Sequence, residues 1–161
     1  MSLQVTTRVA ESASLDTPLL VIALRKSAAL PGSLRALDTA LGGTLGRTLA
    51  RRDFRGDRDE ILHLSGSEKG PRRLLLVGLG DTIDTVGALR RSAGVAARQA
   101  RKMGVESLAW FAEDGSAAAT EAVAVGLALG AWEYTDLKSP PEPADRKPEL
   151  TSATILGGDD A

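Results

Sequence analysis

The sequence contains no cysteine and a single histidine, His63, among its 161 residues. A disulfide framework, a thiolate nucleophile and a cysteine-ligated zinc site are therefore excluded. A metal site built from several histidines is excluded as well, and a serine-histidine-aspartate site would have only His63 as its base. Aromatic residues are scarce, at 2 Trp, 1 Tyr and 2 Phe, which argues against a platform that stacks RNA bases.

Neither sign of charge dominates the chain. Twenty basic residues face 21 acidic ones, a formal net charge of -1, which argues against a dedicated nucleic-acid binder but not against a local basic patch. No apolar run reaches the roughly 18–20 residues that a membrane-spanning helix needs, and residues 1–10 lack a signal pattern. These features predict one ordinary soluble domain in the cytoplasm.

Apolar runs of strand length alternate with segments of helical periodicity. The alternation of apolar and polar residues over 3–9 predicts a half-buried strand, and the continuous apolar run 19–24 predicts a strand covered on both faces. A turn rich in Gly and Ser between two apolar runs predicts a hairpin. The pattern predicts a three-layer α/β fold, a mixed sheet flanked by helices. The further strands are predicted at 60–64, 73–77, 107–112 and 150–156, and the helices at 34–49 with a break at Gly42-Gly43, 86–103 and 116–133.

Two of the predicted helices differ in character. The segment 86–103 carries apolar residues at steps of three and four, and Gly104 is placed to end the helix. The segment 116–133 is apolar almost all round, which predicts a buried helix. Its residues Ala122, Gly126 and Gly130 line one face and would let a neighbouring backbone approach closely.

A segment rich in proline and charge, Ser139–Pro148, has the composition of a linker. A short apolar segment follows it at 150–156. We therefore expect a first domain over residues 1–138, and in residues 139–161 a linker and the start of a second domain.

Candidate binding motifs are few. Gly78-Leu79-Gly80 ends a predicted strand before a helix, where α/β proteins bind phosphates, but Ile83 occupies the position of the third fingerprint glycine. A tight turn is the favoured interpretation, and nucleotide binding around Gly78–Asp81 is the alternative. The spacing in 42–48 does not match a phosphate loop. His63, between two leucines of a strand, is interpreted as a residue of a sheet surface or edge.

Two groups of charged residues have both a structural and a functional interpretation. Four acidic residues could hold a hard cation, but interleaved arginines favour mutual charge compensation: Asp53, Asp57, Asp59 and Glu60 with Arg51, Arg52, Arg55 and Arg58. The helix 86–103 carries five cations, which predict a solvated face or a subunit contact, or else DNA binding: Arg90, Arg91, Arg98, Arg101 and Lys102, with Arg72, Arg73 and the arginines of 47–58 nearby in sequence.

Three stretches, taken in order, resemble the N-terminal domain of the leucyl aminopeptidase (cytosol aminopeptidase) family. The first is RDFRG at 52–56, and the second is LLLVGLG at 74–80, followed by LRRSAG at 89–94 and Ala97-Arg98. The third and most specific is VGLALGAWEY at 125–134, followed by LKS at 137–139. It resembles the family's Glu-Gly-x-x-Leu-Gly-x-Tyr helix end, with Val125 in place of the usual Glu and Trp132 in place of the usual Tyr.

The resemblance implies a macro-domain-like fold and a separate C-terminal peptidase domain that holds two divalent metal ions, manganese or zinc. That domain's Asn-Thr-Asp-Ala-Glu-Gly-Arg signature does not occur in this chain. The resemblance thus implies a non-catalytic domain of a metallopeptidase that removes N-terminal residues from peptides. It further implies a homohexamer, in which this domain helps assembly and shapes access to the active sites.

No catalytic, cofactor-binding or metal-binding residue is therefore assigned within the chain. Two alternatives remain open. A free-standing macro-like module would bind a nucleotide or ADP-ribose around Gly78–Asp81. An accessory domain could instead bind DNA through its basic face, with Arg98 and Arg101 as contacts.

Overall fold

Six strands form one mixed sheet in the computed structural model, which describes residues 3–27, 29–113, 115–132 and 148–157. The spatial order of the strands is β1-β6-β5-β2-β4-β3. Neighbouring strands are parallel except β3, which pairs antiparallel with β4 as the predicted hairpin requires. The strands are β1 (Gln4–Val9), β2 (Leu20–Arg25), β3 (Ile61–Ser65), β4 (Arg73–Gly80), β5 (Ser107–Phe111) and β6 (Ser152–Gly157).

Helices cover both faces of this sheet, which gives the predicted three layers. Two short helices, α1 (Arg35–Ala40) and α2 (Thr44–Ala50), lie on one face and are separated at the predicted break. Two longer helices, α3 (Thr85–Met103) and α4 (Ala117–Ala131), lie on the other. No helix in the described ranges is long and apolar enough to cross a membrane.

Strand β2 joins the two cores because its side chains alternate between the faces of the sheet. Leu20, Ile22 and Leu24 pack among the residues under α1 and α2. Val21 and Ala23 pack among those under α3 and α4. All five are buried, so the prediction of a strand covered on both faces is confirmed.

Strand β1 is an edge strand that pairs with β6 alone. Most of its residues are exposed, including Val9 at 68%, and Val5 is partly buried. The expectation of a half-buried strand over 3–9 is therefore met at Leu3 and Val5, which pack against the core, but not at Val9.

The strand predicted near the end of the chain lies inside the sheet. β6 pairs in parallel with both β1 and β5, and Ala153 and Ile155 join the core under α3 and α4. Residues 139–147 of the predicted linker Ser139–Pro148 lie outside the described residues. The division of the chain near residue 138 stays a prediction, while β6 packs with the strands that precede it.

Helices α3 and α4 pack with their backbones in close approach, as the small residues of α4 predict. A β-carbon at Gly126 would lie 2.2 Å from the carbonyl oxygen of Arg90, and one at Gly130 would lie 2.4 Å from that of Gly94. Both glycines are therefore required by the packing rather than by the helix itself. The ends of α3 follow the sequence signals: Asp84 caps the first turn, and Gly104 ends the helix with a φ of 73°.

Replacing Gly126 by alanine should destabilise the fold by about 2 kcal/mol or more, because the added methyl group forces two helix backbones apart. That cost exceeds the roughly 1 kcal/mol by which alanine favours a helix over glycine. Urea unfolding followed by circular dichroism measures the difference. Gly94→Ala is the matched control, since a β-carbon there would meet its nearest atoms at 3.5–3.6 Å, an ordinary contact. Equal destabilisation by both variants would contradict the proposed close approach.

Candidate functional site

Loops from several elements meet at the edge of the sheet where the parallel strands have their carboxyl ends. The backbone N–H of Lys26, just after β2, donates to the carbonyl of Gly80 at the end of β4 (3.2 Å). The N–H of Gly80 donates in turn to Gly56 (2.9 Å). A β-carbon at Gly78 would lie 1.8 Å from the carbonyl oxygen of Asp57, so only glycine allows this approach. This edge is where open α/β sheets bind their ligands.

Gly78, Leu79 and Gly80 are the last three residues of β4, where Gly78 and Gly80 pair with β2, so the prediction of a tight turn is wrong. These residues border a cavity of about 550 Å³. Three carboxylates and two guanidinium groups line it, from Asp59, Asp81, Asp84, Arg58 and Arg91. The carboxylate of Asp84 accepts a hydrogen bond from the N–H of Gly87 (2.9 Å), in the position at a helix start that a bound anion would take. The cavity therefore exists where the sequence places it, but its charges do not favour a phosphate. Nucleotide binding there stays a hypothesis.

Asp59 and Arg91, which both line this cavity, form an ion pair. The Nε of Arg91 donates to Oδ1 of Asp59 at 2.8 Å, and Nη2 donates to Oδ2 at 2.5 Å. The Arg91 guanidinium hydrogen-bonded to Asp59 lowers the pKa of that carboxyl below its ordinary value of 3.8. The pair holds the loop before β3 against α3, and Asp59 adopts a left-handed φ of 64° there.

The acidic residues before β3 are compensated, but by other partners than the sequence predicts. Lys26 Nζ lies 3.8 Å from Oδ1 of Asp57, and Asp59 pairs with Arg91. The carboxylate of Glu60 accepts from the backbone N–H groups of Arg55 and Asp57 (3.1 and 3.0 Å). The partners come from the loop after β2, from α3 and from the loop backbone, which no local charge pattern can indicate.

In the described part of the chain, no three His, Cys, Asp or Glu side chains gather closely enough to hold a metal ion. The residues present thus do not fit the two divalent ions that the resemblance implies for the parent enzyme. His63 lies exposed on β3 at the edge of the sheet, as its interpretation as a surface residue requires.

The cations of α3 are divided between structural contacts and solvent. Arg91 is held by Asp59, and Nη1 of Arg101 donates to the carbonyl of Gly130 on α4 (3.5 Å). Arg90 and Arg98 are exposed. This arrangement is nearer to the solvated or contact-forming face than to a continuous basic surface, and DNA binding stays a prediction.

Helix α4 exposes an apolar surface that sequence reasoning missed. The prediction of a buried helix is wrong for this side, where Val125, Leu129 and Trp132 are 39%, 66% and 67% exposed. The small residues face α3, so the larger ones face away from it. Glu121 could have indicated this, since it lies one helical turn before Val125 and two before Leu129 on the same face. We call Val125, Leu129 and Trp132 the α4 apolar surface.

The layered sheet and its crowded carboxyl edge define a macro-like α/β domain. Solved structures share this fold. A tomato leucine aminopeptidase variant superposes with a TM-score of 0.78 at 24% identity, covering 96% of this chain and 32% of that one. A Trypanosoma brucei macrodomain in complex with ADP-ribose superposes with a TM-score of 0.64 at 15% identity, covering 95% of this chain and 64% of that one. These likenesses concern the fold alone.

A model of the N-terminal domain of the cytosol aminopeptidase family matches residues 21–141. The chain therefore belongs to the cytosol aminopeptidase family and corresponds to its N-terminal domain. A probable cytosol aminopeptidase of Geotalea uraniireducens is 38% identical over 125 residues, which are 74% of this chain and 25% of that protein. A neutral leucine aminopeptidase of Solanum lycopersicum is 33% identical over 134 residues, which are 77% of this chain and 22% of that protein. The chain thus spans about a quarter of these relatives' length.

The Asp59–Arg91 pair should give the fold a dependence on pH at the acid end. Because the pKa of Asp59 is lower in the folded chain than its ordinary value of 3.8, the folded state holds the proton less tightly than the unfolded one. The pair therefore stabilises the fold above about pH 4. This stabilisation is lost as the pH falls through the pKa that Asp59 has in the folded chain. A carboxyl 13C NMR titration should place the midpoint of Asp59 below 3.8. Arg91→Gln should raise it towards 3.8, while Arg90→Gln should leave it unchanged.

Proposed function

We propose that this domain is the non-catalytic N-terminal part of a metallopeptidase that removes N-terminal residues from peptides. Its tasks would be to hold the catalytic domain and neighbouring subunits in a homohexamer and to shape access to the active sites. Family membership supports the coarse assignment, and the shared length of about a quarter of the relatives supports a role beside a larger catalytic part. The two metal ions, manganese or zinc, would belong to that part. The compartment would be the cytoplasm, in keeping with the family's name.

The α4 apolar surface is the observation that carries the docking role. Val125 and Leu129 lie exposed on one side of α4, whose other side is fixed against α3, and Trp132, the C-cap residue that follows the helix, is exposed as well. Burying a Val or Leu side chain contributes roughly 1.5–3 kcal/mol, and aromatic anchors are enriched in protein interfaces. Contact with the rest of the enzyme would remove this surface from water.

The rigidity of α4 supports the same role. A surface on a packed helix keeps its shape on binding, so little conformational entropy is lost when a partner docks. The glycine contacts with α3 leave α4 no freedom to turn its apolar residues inward. In the proposed role, a partner from outside the domain would cover this surface.

The proposed non-catalytic role predicts that the 161-residue chain does not hydrolyse a chromogenic leucine amide in the presence of Mn²⁺. Amide hydrolysis in this class of enzyme uses bound metal to activate water and polarise the carbonyl. The rate of absorbance change with and without Mn²⁺ measures this. The full-length polypeptide, assayed in parallel, is the positive control. Metal-dependent turnover by the chain alone would refute the non-catalytic assignment.

Leu129→Glu in the full-length polypeptide should weaken assembly, because a carboxylate at the centre of the α4 apolar surface would be buried without a partner. Size-exclusion chromatography with light scattering should show smaller species or an altered domain arrangement. Val9→Glu is the matched control, since Val9 is an equally exposed apolar residue that lies on the edge strand β1 and not on α4. The melting temperature of the domain itself should be unchanged by either variant. An unchanged assembly with Leu129→Glu would remove this surface from the proposal.

A further inference from the structure

A cavity of about 360 Å³ lies on the α1/α2 side of the carboxyl edge, between the loop after β2 and the end of α2. Lys26, Arg52 and Arg55 line it together with a single carboxylate, that of Asp57. At neutral pH the charged residues of the lining carry a net charge of two positives. The volume falls within the roughly 300–1,000 Å³ typical of small-molecule sites.

The positive charge of this cavity is largely uncompensated. Lys26 Nζ lies 3.8 Å from Oδ1 of Asp57, a loose pair in which both side chains are about half exposed (52% and 49%). The ion pairs found in the described ranges do not include Arg52 or Arg55. Both guanidinium groups therefore remain available to a ligand.

The walls of the cavity are held in place by the fold. Phe54 is 1% exposed and anchors the loop between Arg52 and Arg55 in the core under α1 and α2. The backbone N–H of Ser27 donates to the carbonyl of Arg55 at 2.8 Å. Ser27 and Arg52 both hold left-handed φ angles, 59° and 60°, which residues with side chains rarely adopt. The cationic residues are thus presented on backbone that tertiary contacts fix.

We propose that this cavity binds the phosphate or diphosphate group of a small molecule, held by Lys26, Arg52 and Arg55. Guanidinium and ammonium groups donate strong charge-assisted hydrogen bonds to phosphate oxygens, and two arginines can each bind in a bidentate manner. The neighbouring cavity at Gly78–Asp81 has the opposite balance, with three carboxylates to two guanidinium groups. The anion-binding capacity of this edge therefore lies on the α1/α2 side. The inference is independent of the proposed role in the aminopeptidase.

Isothermal titration calorimetry of the 161-residue chain with inorganic pyrophosphate tests this site. We expect saturable binding that weakens as salt is added. Arg55→Gln and Arg52→Asn should each weaken it about tenfold or more, since each removes a charge-assisted contact. Asparagine is chosen at position 52 because it tolerates the left-handed φ. Arg58→Gln, which removes a cation from the Gly78–Asp81 cavity instead, should leave the affinity unchanged.

Three results would overturn the proposal. The first is no saturable binding of pyrophosphate at millimolar concentration, which would mean that the arginines only offset the carbonyl end of α2. The second is an equal loss with Arg58→Gln, which would place the anion in the other cavity. The third is binding of duplex DNA without binding of pyrophosphate, which would indicate a surface for a polyanion rather than a site for a small molecule. Thermal unfolding of each variant confirms that it is folded, and Arg55→Gln alone suffices should Arg52→Asn not fold.

Discussion

The contact between α3 and α4 through Gly126 and Gly130 is the constraint from which much of this domain follows. Each glycine faces a backbone carbonyl of α3 so closely that no side chain fits between them. The two helices therefore cover one face of the sheet as one unit, with α3 against β4 and β2 and α4 against β6. The small residues of α4 lie on the side that contacts α3. Of the larger apolar residues of α4, Val123 and Leu127 are buried in the core, whereas Val125 and Leu129 are exposed. The close contact between α3 and α4 thus determines which side of α4 is exposed to solvent.

The carboxyl edge of the sheet shows a second division, in this case of charge. Backbone hydrogen bonds tie the loop after β2, the segment around Gly56 and the end of β4 into one framework. On the α3 side of that framework, carboxylates outnumber guanidinium groups and Asp84 occupies the helix start. On the α1/α2 side, cations outnumber carboxylates. A nearly neutral protein thereby carries two cavities of opposite character within a few residues of each other.

The fold is shared with macrodomains, but a shared fold does not transfer a ligand. What this chain would bind depends on the charges lining its own cavities, and the glycines at the end of β4 do not by themselves provide a phosphate site. Family membership concerns a different property, the place of this domain in a longer enzyme. The α4 apolar surface and the cationic cavity lie on different elements, so a docking role and a ligand site are compatible in one domain.

The sequence by itself determined the order and type of the long elements. The apolar run of β2, the periodicity of α3 and the spaced small residues of α4 are each short-range patterns. Such patterns can be read directly from a sequence because burial on a regular helix or strand repeats at a fixed spacing. The class of fold and the family followed from these and from the spacing of a few motifs. The position of Gly78 and Gly80 at the end of a strand was also predicted correctly, but the tight turn was not, because these residues continue the pairing of β4 with β2.

Only the tertiary structure decided which charges meet. Asp59 finds Arg91 and Asp57 finds Lys26 across more than thirty residues in each case, while the nearer arginines take no part in those pairs. It also decided that β6 lies between β1 and β5, and that one side of α4 is exposed. The reason is physical: pairing of distant charges and exposure of a helix face depend on how elements pack, and apart from Glu121 on α4 the sequence carries no local signal for either.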